Sequence, residues 1–138
     1  FYTNCLNVMP HHRIKDLPVY RQAVSLRTMS REIASFVSHN KDLISLAQSN
    51  SHRDQLAGSL FQDALLIPKQ IARAETSTSM AIRQNSVQFI GVITKNLNAY
   101  CKGLEMDGIR EREYLDLLRS EVRTFRRAFK KWRKGLLR

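Results

Sequence analysis

The segment 119–138 of this 138-residue chain holds nine basic residues, Arg119, Arg123, Arg126, Arg127, Lys130, Lys131, Arg133, Lys134 and Arg138, against one acid, Glu121. It carries +8 of the formal net charge of +11. Arg119, Arg126 and Arg133 recur every seven positions, as do Arg123 with Lys130 and Arg127 with Lys134. On a helix those sets form columns whose members stand ~10.5 Å apart along the axis. Such a ladder can track a phosphate backbone. Like charges three and four apart repel by ~0.2–0.5 kcal/mol per pair, so the cluster opposes the helix that carries it. A polyanionic partner accounts for tolerating it, and the expected nucleic-acid contacts are Arg119, Arg123, Arg126, Arg127, Lys130, Lys131, Arg133 and Lys134. Two other readings stay open. Charged helix faces commonly serve solubility alone. Val122 to Leu137 also interleaves Phe and Trp with basic residues, as helices do that lie on membrane surfaces or in calmodulin-like grooves.

Other chemistry fails on spacing. A di-iron bundle needs Glu and His three apart on inward helix faces, and no Glu here has a His three residues later. His39 and Asp42 are spaced as ligands could be but fall among polar residues at a helix end, and His11 with His12 reads as an incidental terminal pair. Gly58, Gly91, Gly103, Gly108 and Gly135 match neither phosphate-loop nor dinucleotide spacing, and no nucleophile elbow occurs. The expectation is a protein that is not an enzyme and uses no cofactor and no metal.

Four helices must position the cationic face. The first is expected to start after Asp16 as N-cap, with Pro18 in its first turn, and to run to about Ser38 on Val19, Ala23, Leu26, Ile33 and Val37. A polar connection, Asn40 to Asn50, leads to Ser51 and Asp54, spaced like a capping box with Asp in place of Glu or Gln. The second helix carries Leu56, Leu60, Ala64, Ile67, Ile71 and Ala74 in one stripe. Ala57, Phe61, Leu65 and Leu66 widen it, so two buried sides are expected. Pro68 should kink this helix without ending it. The hydroxyl-rich run Thr76 to Ser79 separates it from a third helix through Ile82, Phe89, Ile90, Ile93, Leu97, Cys101 and Leu104, stopped near Asp107 and Gly108. The fourth, from about Arg110 to the end, has an unbroken heptad seam at Leu115, Leu118, Val122, Phe125, Phe129, Trp132 and Leu136. On one flank of that seam Glu121, Ala128 and Gly135 mark a contact with a neighbouring helix.

Composition supports this reading. The chain is long enough for one domain, 43% hydrophobic residues suffice for a core, and 5 Gly with 3 Pro are too few for the frequent turns of a sandwich or barrel. The fold expected is all-α, an antiparallel up-down-up-down four-helix bundle over residues 14–138, preceded by a flexible arm over 1–13. Phe1 to Val8 is read as lying outside the fold. The longest uncharged stretches, Phe1 to His12 and Gln84 to Thr94, fall short of the ~18 residues a membrane span needs. Cys5 and Cys101 are isolated in sequence, which fits a reduced, cytoplasmic setting.

From Ile14 to Leu137 the order of features resembles the 23S ribosomal RNA intervening-sequence protein family. Its opening Asp-Leu-x-Val-Trp-x-x-Ala type segment is matched by Asp16, Leu17, Val19, Tyr20 in place of Trp, and Ala23. The second-helix motif is resembled by Phe61, Ala64, Ile67, Pro68, Gln70, Ile71 and Ala72, with the mid-helix Pro its most specific element. Phe89 with Ile90 resembles a third-helix Phe-Leu pair, and Gly108 with Ile109 a Gly-Tyr-Leu type turn. Departures lie at Arg73 and Ala74, in place of Glu-Gly, and near Asn96 and Asn98, in place of acids. The resemblance implies an antiparallel bundle assembled as a ring, typically a homopentamer, without known catalysis. A structurally similar group, the accessory variability determinants of diversity-generating retroelements, implies basic pentamers that bind nucleic acid and a reverse transcriptase. The first expectation is therefore a ring-forming basic bundle that binds RNA or DNA through its last helix. The alternative is a scaffold docking an acidic partner protein such as a polymerase or reverse transcriptase.

Overall fold

The computed structural model describes residues 11–138, the side chains of His11 and His12 excepted. Residues 1–10 of the expected arm, with Cys5, lie outside that range. Positions 11–13 belong to a short helix α1 (His11–Ile14), whose Ile14 is buried. It is followed by α2 (Pro18–Val37), α3 (Leu43–Gln48), α4 (His52–Thr76), α5 (Met80–Met106) and α6 (Arg112–Leu136), and no strand occurs among the described residues.

Local chemistry sets most of these boundaries, with two corrections. Leu17, not Asp16, is the N-cap of α2, because a residue before Pro is driven out of the helical region. Leu17 is extended (φ −67°, ψ 133°), Pro18 takes the first helical position, and Asp16 instead lies 3.7 Å from Arg21. At α4 only half of a capping box forms. Ser51 Oγ accepts from Asp54 N at 3.3 Å, but the Asp54 carboxylate turns away to accept from Ser49 Oγ at 2.7 Å and to meet Lys41 Nζ at 3.2 Å. The hydrogen bond from Ser49, helped by Lys41 and opposed by burial, holds Asp54 below its usual pKa of 3.8. α4 continues through Pro68 without interruption, and Ser79 caps α5 by accepting from Ile82 N at 3.3 Å. α5 stops at Gly108, whose φ of 94° is the left-handed conformation that side chains resist.

The four long helices share one core. α2 packs against α4 and α6, and α5 packs against the same two. Leu26, Leu60, Ile67, Ile90, Leu97, Leu118 and Phe125 are fully buried at its centre, each large side chain stabilising the fold by ~1.5–3 kcal/mol. Polar contacts between helices set the register. Along α4, Arg53, Asp63 and Arg73 meet Asp107, Tyr100 and Ser86 of the α5 side in falling order. Along α2, Ser25 and Phe36 meet Glu121 and Tyr114 of α6, again in falling order. Gly103 lets α5 approach α4, since a Cβ there would stand 3.0 Å from Leu56 Cδ1. The extra width of the α4 stripe is taken up within the chain. Phe61 and Leu66 pack partly on the core, and α1 and α3 cover further α4 surface, with Leu46 of α3 buried beside Gly58.

Candidate nucleic-acid interface

The heptad seam decides how α6 sits. Leu115, Leu118, Val122, Phe125, Phe129 and Leu136 are buried, and Trp132 is half-buried with Nε1 donating to Glu75 Oε2 of α4 at 2.6 Å. Phe125 stacks on Phe129 with ring centroids 5.9 Å apart, and Trp132 lies 6.1 Å beyond. The aromatics that suggested a membrane-surface or groove-binding helix are thus committed to the protein's own core. No described helix is long and apolar enough to cross a membrane. The flank marked by Glu121 and Ala128 does make a contact, inside the chain: Glu121 accepts a hydrogen bond from Ser25 of α2, and Ala128 packs on the core. Gly135, the third residue of that flank, is exposed.

With the seam inward, the eight expected contact residues divide. Arg119 is neutralised by one acid of α5 and one of its own helix: its Nη2 lies 3.2 Å from Glu105 Oε1 and its Nη1 3.0 Å from Asp116 Oδ1, with only 24% of the side chain exposed. Burial works against its charge, and the bonds to Glu105 and Asp116 outweigh it, leaving its pKa raised. Arg112 also holds Glu105, at 2.7 Å, and the two guanidinium groups keep that carboxyl below its usual range. The other seven have no acidic partner among the described residues. Arg123, Lys130, Lys131 and Lys134 are exposed, Arg127 donates only to Thr124 Oγ1 at 3.2 Å, and Arg133 lies 5.8 Å over the Phe129 ring. Arg126 is half-buried at the α5 side. The negative end of the helix favours Arg133 and Lys134 in the last turn. It does not reach Arg123 to Lys131, whose mutual repulsion is left standing.

Sequence reasoning missed one member of the site. Lys95 of α5 lines a groove of about 260 Å³ with Arg126, Lys130 and Arg133 of α6, floored by Gly91, Thr94 and Phe129. Its signal was position: Gly91 and Lys95 are four apart, immediately beside the buried Ile90, Ile93 and Thr94. Of the two histidine pairings, His39 with Asp42 lies within the described side chains. Asp42 caps α3 by accepting from Ser45 N at 2.8 Å, which lowers its pKa, and His39 is exposed in a left-handed turn (φ 57°). The side chains of His11 and His12 lie outside the described part. No group of three or more His, Cys, Asp or Glu is arranged to hold a metal among the described residues. Burial pushes the Cys101 thiol up to about 11, so it stays protonated at neutral pH. Comparison with protein-family models, with curated proteins and with solved structures gave no match.

Proposed function

We propose that this chain is a non-enzymatic, basic, up-down-up-down antiparallel four-helix bundle that binds RNA or DNA through phosphate contacts from α6. The single observation that carries the reading is the contrast along one helix. Glu105 and Asp116 neutralise Arg119, whereas Arg123, Arg126, Arg127, Lys130, Lys131, Arg133 and Lys134 stand without acidic partners among the described residues. A protein using charge only for solubility gains from interspersed signs, and uncompensated cations along one face are the usual footprint of a polyanion site. The opposed register of α4 with α5 and of α2 with α6 supports the antiparallel arrangement. Contacts of this kind position a nucleic acid without reading its bases, so no sequence preference follows.

Assembly into a ring, a homopentamer in the family that the sequence resembles, belongs to the same proposal. Its support is the pair Phe89 (39% exposed) and Val92 (54%), neighbours three apart on α5. Light scattering at micromolar concentration should give a multiple of 16.0 kDa, and a monomer would remove this part. Mobility shift at 50 mM salt with single- and double-stranded RNA and DNA tests binding itself. Retardation of at least one probe is expected, and none with any probe overturns the reading. A pull-down of an acidic polymerase that survives nuclease, with no retardation, would establish the scaffold function instead.

A further inference from the structure

We infer that the groove between α5 and α6 is a built seat for a single phosphate group of the bound strand, rather than one stretch of a uniformly charged surface. This rests on the nucleic-acid reading above and deepens it by naming where the backbone is gripped. Two helices supply the cations, Lys95 from α5 and Arg126, Lys130 and Arg133 from α6, around about 260 Å³ of space lined by no carboxylate among the described residues. Arg126, Lys130 and Arg133 are spaced four and three apart, so they share one side of α6 and converge on the groove. Phe129 beneath them is 5% exposed, and the Arg133 guanidinium lies over its ring, which limits the directions open to that group. The space over Gly91 is open: a Cβ built there meets nothing within 4 Å. Charge alone would make all α6 cations equivalent. A seat makes the groove residues, Lys95 included, count for more than those on the outer face.

The test uses the full chain and a fluorescent duplex. Gly91→Leu fills the groove while leaving every cation in place, and Leu favours the helix more than Gly does. Lys95→Gln removes the α5 cation from an exposed position and leaves folding intact. Arg127→Gln, on the outer face, is the comparison. Gly91→Leu should weaken binding about tenfold, the scale of losing charged hydrogen bonds to one phosphate. Lys95→Gln should lower the salt slope by about 0.9. Inorganic pyrophosphate should bind the native chain in calorimetry and not Gly91→Leu. Duplex bound alike by the native chain, Gly91→Leu and Lys95→Gln would overturn the seat while sparing the nucleic-acid reading. If no duplex binds at all, that reading fails first, and pyrophosphate heat abolished by Gly91→Leu would still support the seat. No heat with either protein would end it.

Discussion

Arg119 and Arg126 lie seven residues apart in one column of α6, yet only Arg119 is paired within the fold, and replacing each by Gln separates pairing from the proposed phosphate contact. Arg126 has no acidic partner among the described residues, so as the proposed phosphate contact it should contribute about 0.9 to the log–log slope of duplex affinity against salt. Over the fourfold change from 50 to 200 mM that slope is worth about 3.5-fold in affinity. Arg126→Gln should therefore bind more weakly than the native chain at 50 mM, with the gap narrowing about 3.5-fold by 200 mM. Arg119 is spent on Glu105 at 3.2 Å and Asp116 at 3.0 Å, so Arg119→Gln should leave the slope unchanged. Its cost falls on stability instead. With both partners partly solvated and Arg112 still holding Glu105, the loss should be about 0.5–1 kcal/mol, or roughly 3 °C in Tm. Fluorescence anisotropy across the salt range and thermal unfolding followed by circular dichroism give both quantities. An Arg119→Gln slope reduced as much as that of Arg126→Gln would refute the claim that pairing within the fold decides which cations reach the ligand.

Four further outcomes concern stability. Trp132→Phe keeps an aromatic ring in the seam but leaves the Glu75 carboxylate, 7% exposed, without its donor, and chemical denaturation should register a loss of about 1–3 kcal/mol. Ser30 Oγ is buried with no hydrogen-bond partner among the described residues, so Ser30→Ala should be neutral or stabilising by about 1 kcal/mol, and a clear loss would reveal a partner for that hydroxyl. Gly108→Ala places a side chain at φ 94° and should cost about 1–2 kcal/mol at the α5–α6 turn. Asp54, held below 3.8 in the folded state, contributes stability that is fully present above its unfolded pKa and is lost as pH falls through its lower folded value. Asp54→Asn should therefore lower stability at pH 7 and flatten the acid limb below about pH 4 in a titration of unfolding free energy.

Legibility in sequence followed the range of the interactions. The α6 seam repeats locally, so its 3-and-4 spacing could be read directly, as could the cap Ser51 and the stop at Gly108, while Ser79 was legible only as one of the hydroxyls in the run Thr76 to Ser79. Pro18 shifted the start of α2 by one residue through a clash with its own neighbour, which favoured Leu17 over the better side-chain cap, Asp16. Asp54 was read as the acid of a capping box, but its carboxylate goes to Ser49 and to Lys41, which reaches it from the preceding connection. The cationic face was visible as a charge run. Which of its members are free depends on Glu105, fourteen residues from Arg119 and on another helix, and on Lys95, which joins the face only when α5 packs beside α6.

The most direct measurement is the salt dependence of duplex affinity for the native chain beside the triple variant Arg126→Glu, Lys130→Glu, Arg133→Glu, with circular dichroism on both. The native slope should be steep, about 0.9 for every phosphate neutralised, and the triple variant should lose binding while its helical signal is unchanged. A flat native slope, or a folded triple variant that binds as the native chain does, would contradict it.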